Sequence, residues 1–384
     1  MLGNLQNGID TNFKLNTIEE AIADIKAGKI IIVVDDEDRE NEGDFICAAE
    51  CVTPEIINFM SKYGRGLICT PIDEKRAHEL KLDMMVSSNT AVHETAFTIS
   101  VDLIGQGCTT GISAYDRATG IRALVDPNTK STDFARPGHI FPLKAKTGGV
   151  LRRTGHTEAA IDLARLSGFF PAGVLVEILD DDGSAARLPR LIEVAKHFEM
   201  KIIAIKDLVA FRMQTERLIK RELSVNLETN YGDFEVIAYR QQTTDDIHLA
   251  IKKGSWEPNE PVLVRVHSST ETGDVLGSLF DNYGECLQRA VKIIADEGKG
   301  LVLFMRHSEK KDSILHTLKM LDKQNANGIS LNSNIQGTEQ KDFGVGAQIL
   351  RDLGISKLKL LSRNAKHRVA LSGYGLEIAE RVQL

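Results

Sequence analysis

Short apolar segments alternate with amphipathic helical segments along this chain. Residues 30–34 form an apolar, β-branched run, which predicts a buried strand. The preceding segment predicts a helix, because Thr17 and Glu20 form a capping-box sequence and Gly28 is placed to end the helix. Further strands are predicted at 67–70, 97–101, 174–179 and 202–205, and further helices after Pro54, between Thr157 and Gly168, and around 191–195. This alternation is typical of layered α/β domains.

The length of the chain predicts two domains. At 384 residues it exceeds one ordinary core, so two domains of about 200 residues each are expected. A polar helical pattern between the two halves predicts a connector. We therefore expect a first domain at residues 1–208, a helical connector at 209–227 and a second domain at 228–384.

Composition and charge argue against several classes of function. The formal net charge is −7, and no stretch concentrates Lys and Arg enough to neutralise a phosphate backbone, so no nucleic-acid partner is expected. The longest apolar runs have five or six residues, and no basic region followed by an apolar segment begins the chain, so we expect no membrane span and a cytoplasmic location. The five cysteines form no Cys-x-x-Cys pair, which indicates neither structural zinc nor a disulfide framework.

An acidic stretch follows the first predicted strand. Residues 35–44 contain seven carboxylates, which repel one another unless a divalent cation such as Mg²⁺ lies among them. Arg39 adds a guanidinium suited to phosphate or carboxylate, and Gly43 predicts a flexible point. The competing interpretation is a solvated acidic loop.

A second chemical stretch begins near Gly148. Arg153, Thr154, Gly155, His156 and Thr157 combine a guanidinium, hydroxyls and backbone N–H groups ahead of a predicted helix, with Thr157 as its natural N-cap. These are the groups that hold a phosphomonoester. The imidazole can bind a metal ion, although a structural histidine that caps a loop is the competing interpretation.

Other candidate residues lie at strand ends or in a predicted loop. Glu177 is the one carboxylate in an apolar strand, so we expect it to be buried, with a raised pKa. Cys69 lies near a strand end, where a core-filling role competes with a functional one. Two prolines and a glycine in residues 131–142 predict a rigid loop that presents Arg136 and His139.

The first half resembles 3,4-dihydroxy-2-butanone 4-phosphate synthase, a carbon–carbon lyase of riboflavin biosynthesis that acts on ribulose 5-phosphate. Four motifs carry the resemblance: residues 36–44, Arg136 to His139, Arg153 to Ala159, and Glu177 with the acidic turn 181–183. The resemblance implies two Mg²⁺ (or Mn²⁺) ions per site held by Glu40 and His156, and a homodimer. It also implies that Arg39 and Asp44 bind the sugar, that Arg153 and Thr157 bind the phosphate, and that Glu177 is an acid/base.

The same resemblance places Cys69 beside the site and His139 in its surroundings. Asp44 or Glu177 could take the proton next to the ketone, and a nearby dication would favour that step. One departure is Glu94, where the family usually has glycine, and it leaves the role of His93 open.

The second half resembles GTP cyclohydrolase II, for example at 229–234, 261–268, 342–354 and 373–377. That family binds zinc through three cysteines, and the aligned positions here are Thr270, Asp281 and Tyr283, which are unsuited to that ion. Residues 307–312 and 339–342 also depart from its nucleotide-binding segments. We therefore expect no zinc and a second domain that is inactive towards GTP.

These resemblances imply an α/β chain with mixed (α+β) sheets, folded as two layered α/β/α domains. The leading hypothesis is a Mg²⁺-dependent lyase that acts on a small sugar phosphate. The alternatives are a bifunctional enzyme that also hydrolyses GTP and a non-catalytic scaffold.

Overall fold

The computed structural model describes residues 14–37, 39–87, 89–91, 95–242, 244–269, 283–306, 343–362 and 372–384. The chain divides into two compact units, Met1–Arg212 and Met213–Leu384. Within the described ranges, no helix has the length and apolar character needed to cross a membrane.

The first unit contains a mixed sheet with helices on its faces. Its strands are β1 (Ile31–Val34), β2 (Gly43–Ala48), β3 (Cys69–Ile72), β4 (Val101–Leu103), β5 (Phe134–Lys144), β6 (Gly173–Glu177) and β7 (Ile202–Ala204). Its helices are α1 (Ile18–Lys26), α2 (Pro54–Phe59), α3 (Glu74–Glu79), α4 (Ala114–Val125), α5 (His156–Leu166), α6 (Leu188–His197) and α7 (Ile205–Thr215), the last of which continues past the unit boundary. The described strands run in the order β4-β5-β3-β6-β2-β1-β7. Pairs β1–β7 and β3–β5 are parallel and the other pairs are antiparallel.

Strands β1, β2 and β6 form the centre of this sheet. Every residue of β1 and β2 is buried, as expected for a sheet covered on both faces. The register pairs Val33 with Asp44, and Asp44 with Glu177. The two carboxylates therefore lie side by side on neighbouring strands, where β2 begins and β6 ends, next to the acidic stretch.

Two expectations for the first unit are wrong. Gly43 is not a flexible point, because it is the buried first residue of β2 and a Cβ there would overlap the Leu191 side chain. Residues 134–142 are not a loop, because they belong to β5, which pairs with both β3 and β4. Pairing with two neighbours supplied the backbone partners that local Pro and Gly signals could not reveal.

The second unit has its own mixed sheet. Its strands are β8 (Ile219–Thr229), β9 (Gly232–Gln241), β10 (Ile247–Lys253), β11 (Pro261–Ser269), β12 (Gly300–Arg306), β13 (Lys357–Ser362) and β14 (Glu377–Gln383). Its described helices are α8 (Tyr283–Glu297) and α9 (Phe343–Asp352). The strand order is β14-β13-β11-β12-β10-β9-β8. Two mixed sheets in two layered units confirm the predicted fold class.

The connector predicted at 209–227 is helical only in its first part. Helix α7 ends at Thr215 and β8 begins at Ile219. Leu223, Val225 and Leu227 alternate with polar residues, which is the period of a strand, and β8 pairs with β9 over its whole length. The polar character of this segment reflects a largely exposed strand rather than a helix.

Candidate active site

The acidic stretch folds around Asp35, at the end of β1. The Asp35 carboxylate accepts hydrogen bonds from the backbone N–H groups of Glu40 at 3.2 Å and Glu42 at 2.8 Å. Arg39 Nη1 lies 2.8 Å from Asp35 Oδ2 and 2.7 Å from Glu40 Oε2. Burial opposes the charge of Arg39, but Glu40 and Asp35 raise the pKa of its guanidinium above the ordinary value. The guanidinium therefore offsets part of the negative charge of Asp35 and Glu40.

His156 is the first residue of α5, and it is buried. Its Nε2 lies 3.1 Å from the Val33 carbonyl oxygen, which can only accept, so Nε2 carries the proton. Burial lowers the pKa of His156 and favours the neutral ring. The lone pair is then on Nδ1, which lies 3.9 Å from Glu40 Oε2.

Asp35, Glu40 and His156 are the side chains that come together as possible metal ligands. One ligand atom from each lies within 4.8 Å of the others. The structure thus brings together Glu40 and His156, which are 116 positions apart in the sequence (156 − 40). It adds Asp35, which the sequence analysis did not single out. Its position as the first carboxylate after a buried strand was the available signal.

Asp44 and Glu177 form the second acidic pair of the site. Asp44 is 3% exposed, and its Oδ1 has no hydrogen-bond partner among the described residues. Burial, then the charges of Glu177 and Glu40, raise the pKa of Asp44 well above its ordinary value. Glu177 is only half-buried, because it is the last residue of β6, and its Oε2 accepts a hydrogen bond from the Leu67 N–H at 2.9 Å. The expectation of a buried Glu177 is therefore wrong, and the buried carboxyl is Asp44.

Cys69 is the first residue of β3 and is buried beside this pair. Burial, and then Glu177 and Asp44, raise the pKa of its thiol. The thiol therefore stays protonated at neutral pH. This favours an uncharged side chain beside the two carboxyl groups over a nucleophile.

Two guanidiniums meet at Gly155, the N-cap of α5. A Cβ added to Gly155 would lie 2.5 Å from Arg153 Nη1 and 3.1 Å from Arg39 Nη2. Glycine therefore gives both arginines room at a helix N-terminus that no side chain caps. Arg153 Nη1 also donates to the buried Glu158 at 2.6 Å. The prediction that Thr157 is the N-cap is wrong, because the N-cap is Gly155 and the helix begins at His156. Thr157 is buried in the first turn.

His139 and Arg136 lie on β5. His139 Nδ1 lies 2.7 Å from Asp102 Oδ2, and its side chain is 45% exposed, so the structure places it with Asp102 and outside the Asp35–Glu40–His156 group. Arg136 is not presented to a ligand by a loop, because its guanidinium donates to backbone carbonyls, including that of Leu80 at 2.8 Å. His93 and Glu94 lie outside the described residues.

Arg187 is a further residue that the sequence analysis missed. Its Nη1 donates to the carbonyl oxygens of Asn41 and, at 2.9 Å, Glu40. It lies just before α6, so a side chain from the far end of the unit holds the backbone of the acidic stretch. A lone arginine without a local motif offers no sequence signal for this contact.

Two family models match the chain along nearly its whole length. The model of 3,4-dihydroxy-2-butanone 4-phosphate synthase matches residues 19–211, and the model of GTP cyclohydrolase II matches residues 220–383. The first match alone covers half of the chain. The chain belongs to the 3,4-dihydroxy-2-butanone 4-phosphate synthase family. It is an enzyme of this type, with a second domain of the GTP cyclohydrolase II family.

Known proteins are similar to this chain over nearly its whole length or over about half of it. Riboflavin biosynthesis protein RibBA of Cytophaga hutchinsonii is 60% identical over 374 residues, covering 97% of this chain and 92% of the relative. The crystal structure of RibBX, a two domain 3,4-dihydroxy-2-butanone 4-phosphate synthase from A. baumannii, is 39% identical with a TM-score of 0.66, covering 96% of this chain and 99% of that chain. A 3,4-dihydroxy-2-butanone 4-phosphate synthase in complex with two magnesium ions is 41% identical with a TM-score of 0.50, covering 52% of this chain and 98% of that chain.

The residues that depart from the GTP cyclohydrolase II pattern cannot be compared in space. Thr270, Asp281, the side chain of Tyr283 and residues 307–312 and 339–342 lie outside the described part of the chain. The surrounding framework is described: the strands predicted at 262–266, 301–305 and 358–361 fall within β11, β12 and β13.

Proposed function

We propose that the first unit converts D-ribulose 5-phosphate into 3,4-dihydroxy-2-butanone 4-phosphate and formate, with two Mg²⁺ (or Mn²⁺) ions bound at Glu40 and His156. The observation that carries the proposal is the 3.9 Å separation of Glu40 Oε2 and His156 Nδ1 beside a basic helix N-terminus. His156 directly follows Gly155, so a phosphate bound at Gly155 would lie next to the metal site. A similar synthase, in complex with two magnesium ions, supports this choice of metal.

The donor atoms fit a hard divalent cation. Carboxylate oxygens and a neutral imidazole with a free lone pair are suitable ligands for Mg²⁺ and Mn²⁺. The unpartnered Oδ1 of Asp44 adds a buried polar atom that needs a partner. A bound cation would offset the negative charge that develops on the substrate oxygen after proton removal. Among the described residues, the group of possible ligands contains carboxylates and an imidazole, and Cys69 is not a member of it.

The phosphate of the substrate would bind at the start of α5. Arg153 supplies a guanidinium, Thr154 and Thr157 supply hydroxyls, and Gly155 leaves space for the anion to approach the first-turn N–H groups. Arg39, whose Nη2 reaches the same glycine, would bind the sugar hydroxyls or the near side of the phosphate. Holding the phosphate there keeps the reactive carbons over the acidic groups.

Asp44 and Glu177 would exchange the proton next to the ketone. The strand register places the two carboxyl groups on paired residues, so a proton taken by one could be returned to the substrate by the other. The raised pKa of Asp44 brings a carboxyl closer to neutrality, where acid/base transfer is efficient. Cys69 would remain a neutral neighbour, and Glu40 would be shared between metal and substrate.

We propose that the second unit does not hydrolyse GTP, because Thr270, Asp281 and Tyr283 lack the thiolates that bind zinc. The name of the A. baumannii relative, a two domain synthase, supports this proposal. The GTP cyclohydrolase II match over residues 220–383 favours the alternative, a bifunctional enzyme. Purified full-length protein with stoichiometric zinc that releases formate from GTP would establish the alternative.

One assay separates the three readings of the chain. Formate is measured from ribulose 5-phosphate and, separately, from GTP, with and without EDTA and with Mg²⁺ restored. We expect formate from the sugar phosphate only, lost with EDTA and regained with Mg²⁺. Formate from neither substrate would support a scaffold and refute the lyase proposal.

We further propose a cytoplasmic homodimer, in which His139 lies near the active site. The family resemblance supports the dimer and the position of His139. The described cysteines Cys47, Cys51, Cys69 and Cys108 are free, which supports a reducing compartment. Light scattering of the purified protein tests the dimer, and a monomer with full activity would refute it.

A further inference from the structure

A buried ion pair lies behind the segment that carries Arg153. Asp162 of α5 and Arg212 of α7 are each only 4% exposed in their side chains, and Arg212 Nη1 lies 2.7 Å from Asp162 Oδ2. Asp162 and Arg212 are not among the residues that any of the motifs above assigned to the site. Buried ion pairs seldom add net stability over apolar residues of similar volume, so their presence needs a reason beyond stability.

Both partners of this pair grip the backbone ahead of Arg153. The Val150 N–H donates to Asp162 Oδ2 at 2.7 Å, and Arg212 Nη1 donates to the Gly148 carbonyl oxygen at 2.8 Å. Gly149, with φ +60°, lies so close that a Cβ would overlap the Asp162 carboxylate. The segment 148–150 is thus held by charged hydrogen bonds at Gly148 and Val150, on either side of the closely packed Gly149.

A short helical turn connects the segment held by the ion pair to Arg153. Residues Gly149–Leu151 form this turn, and the N–H groups of Arg152 and Arg153 donate to the Gly149 carbonyl oxygen at 2.9 and 3.1 Å. The position of Gly149 therefore sets where Arg153 leaves the backbone, two residues ahead of Gly155. A displacement at the ion pair would move the guanidinium that reaches Gly155.

A cavity borders one side of the Asp162–Arg212 pair and of the segment that it binds. A cavity of about 270 Å³ lies next to the pair, lined by groups that include Lys75, Lys146, Thr147 and Arg165. Val150 and Leu151 are buried in the core, and the charged contacts at Gly148 and Val150 add to that packing on the side of the segment that faces the cavity. Arg165 approaches the same carboxylate only at 3.8 Å and is 44% exposed, so Arg212 is the closer cation.

We propose that Asp162 and Arg212 are positioning residues that hold the Gly148–Arg153 segment in place and so set the affinity for the phosphate group of the substrate. This inference rests on the proposed function, in which Arg153 binds that phosphate. The pair touches neither the metal ligands nor the Asp44–Glu177 pair among the contacts of the described residues. Its effect should therefore appear in phosphate binding and not in metal binding.

The test is a double-mutant cycle in the full-length protein. Asp162→Asn and Arg212→Gln are made singly and together, and KM, kcat, the Mg²⁺ concentration for half activation and competitive inhibition by inorganic phosphate are measured. We expect each single change to raise KM and the phosphate inhibition constant by about tenfold, with kcat and the Mg²⁺ requirement changed less than about twofold. The double variant should recover part of the loss, because it leaves no unpaired buried charge.

Arg76→Gln is the matched control, since Arg76 is also buried and its Nε donates to a backbone carbonyl, that of Leu124, at 2.8 Å. It should lower the unfolding temperature in the same way but leave KM unchanged. If Arg212→Gln raises KM no more than Arg76→Gln does at equal loss of stability, the positioning role is refuted.

Arg153→Ala separates this inference from the function on which it rests. If Arg153→Ala raises KM while the Asp162 and Arg212 variants do not, only the positioning role fails. If Arg153→Ala also leaves KM unchanged, the phosphate role of the segment is wrong and both proposals fall. If single variants do not fold, the double variant decides: wild-type phosphate affinity in it would overturn the inference.

Discussion

The two units of this chain share an architecture but differ in the residue types that their sequences offer for a metal site. Each has a mixed sheet of seven described strands. In the first unit, carboxylates at the ends of β1, β2 and β6 meet an imidazole and two guanidiniums. In the second unit, the sequence has Thr270, Asp281 and Tyr283 at the positions that we propose to correspond to the zinc-binding cysteines of GTP cyclohydrolase II.

This difference separates the requirements of a fold from those of a site. The sheets depend on apolar strand residues, such as Ile32 and Phe45 in the first unit and Val264 and Leu301 in the second, which are all fully buried. A metal site depends on a few side chains of the right chemical type. Such side chains can change while the sheet persists, so a matched fold does not by itself carry the activity.

The largest expected effect is the loss of the first-unit activity through a metal ligand. Glu40→Gln removes a charged ligand but keeps the size of the side chain. We expect kcat/KM for ribulose 5-phosphate to fall by about a thousandfold, because several kcal/mol of charge stabilisation are lost. Formate release from ribulose 5-phosphate measures this effect. The zinc content of the same protein is measured as well, and we expect none bound to the second unit. Glu37→Gln is the control, because Glu37 is in the same acidic stretch but outside the ligand group. An equal loss of activity in this variant would show that Glu40 acts through its charge alone and not as a metal ligand.

A pH effect on stability is expected from Asp162. Burial, opposed by Arg212 and Arg165, raises the pKa of Asp162 from 3.8 to about 6. Between these values the folded unit binds a proton that the unfolded chain has released, so this group lowers stability as pH rises from 4 to 6. The full penalty, on the order of 3 kcal/mol, is present above pH 6.

Unfolding of wild type and Asp162→Asn, followed from pH 4 to pH 7, tests this linkage. The stability of wild type minus that of the variant should fall by this amount across the range. A constant difference would show that Asp162 does not titrate there.

A glycine in each unit gives a matched pair for stability. Gly43→Ala should destabilise the first unit by about 2 kcal/mol, because the new methyl overlaps Leu191 in a packed core. Gly346→Ala in α9 should instead be neutral or stabilise by up to about 1 kcal/mol, because the nearest atom, Leu303 Cδ2, is 3.7 Å away and alanine favours helix. Chemical unfolding measures both, and equal effects would contradict the close packing of Gly43.

Gly155→Ala is expected to weaken substrate binding with little effect on stability. The added methyl displaces the flexible ends of Arg153 and Arg39 without backbone strain, since φ is −115°. We expect KM for the sugar phosphate to rise by about tenfold, with an unfolding free energy within about 1 kcal/mol of wild type. Steady-state kinetics with inorganic phosphate as inhibitor test this. An unchanged KM would mean that the two guanidiniums do not act at Gly155.

Local patterns in the sequence predicted the elements that depend on near neighbours. The capping box at Thr17 is formed as predicted, with its side chain and that of Glu20 exchanging hydrogen bonds with the backbone. The run at residues 30–34 became β1. Predictions were wrong where distant partners decide: β5 is held by β3 and β4, and β8 by β9.

The candidate site divides in the same way. Residue type and position in the chain were enough to select His156, Arg153 and Glu177, whereas Glu40 was selected within the acidic stretch by the family resemblance. Asp35 belongs to the acidic stretch, but only the structure shows that its carboxylate binds backbone N–H groups of that stretch. No sequence signal marked Arg187, because its role comes from contacts with distant backbone carbonyls.

By itself, the sequence determined the two α/β halves, the acidic stretch after β1 and the side chains available for metal and phosphate. Only the tertiary structure decided that Asp44 is the buried carboxyl, that the lone pair of His156 faces Glu40, and that two guanidiniums share Gly155. The physical reason is that composition and periodicity act over a few residues. Burial, tautomer and charge pairing are instead set by strand register and by contacts between distant segments.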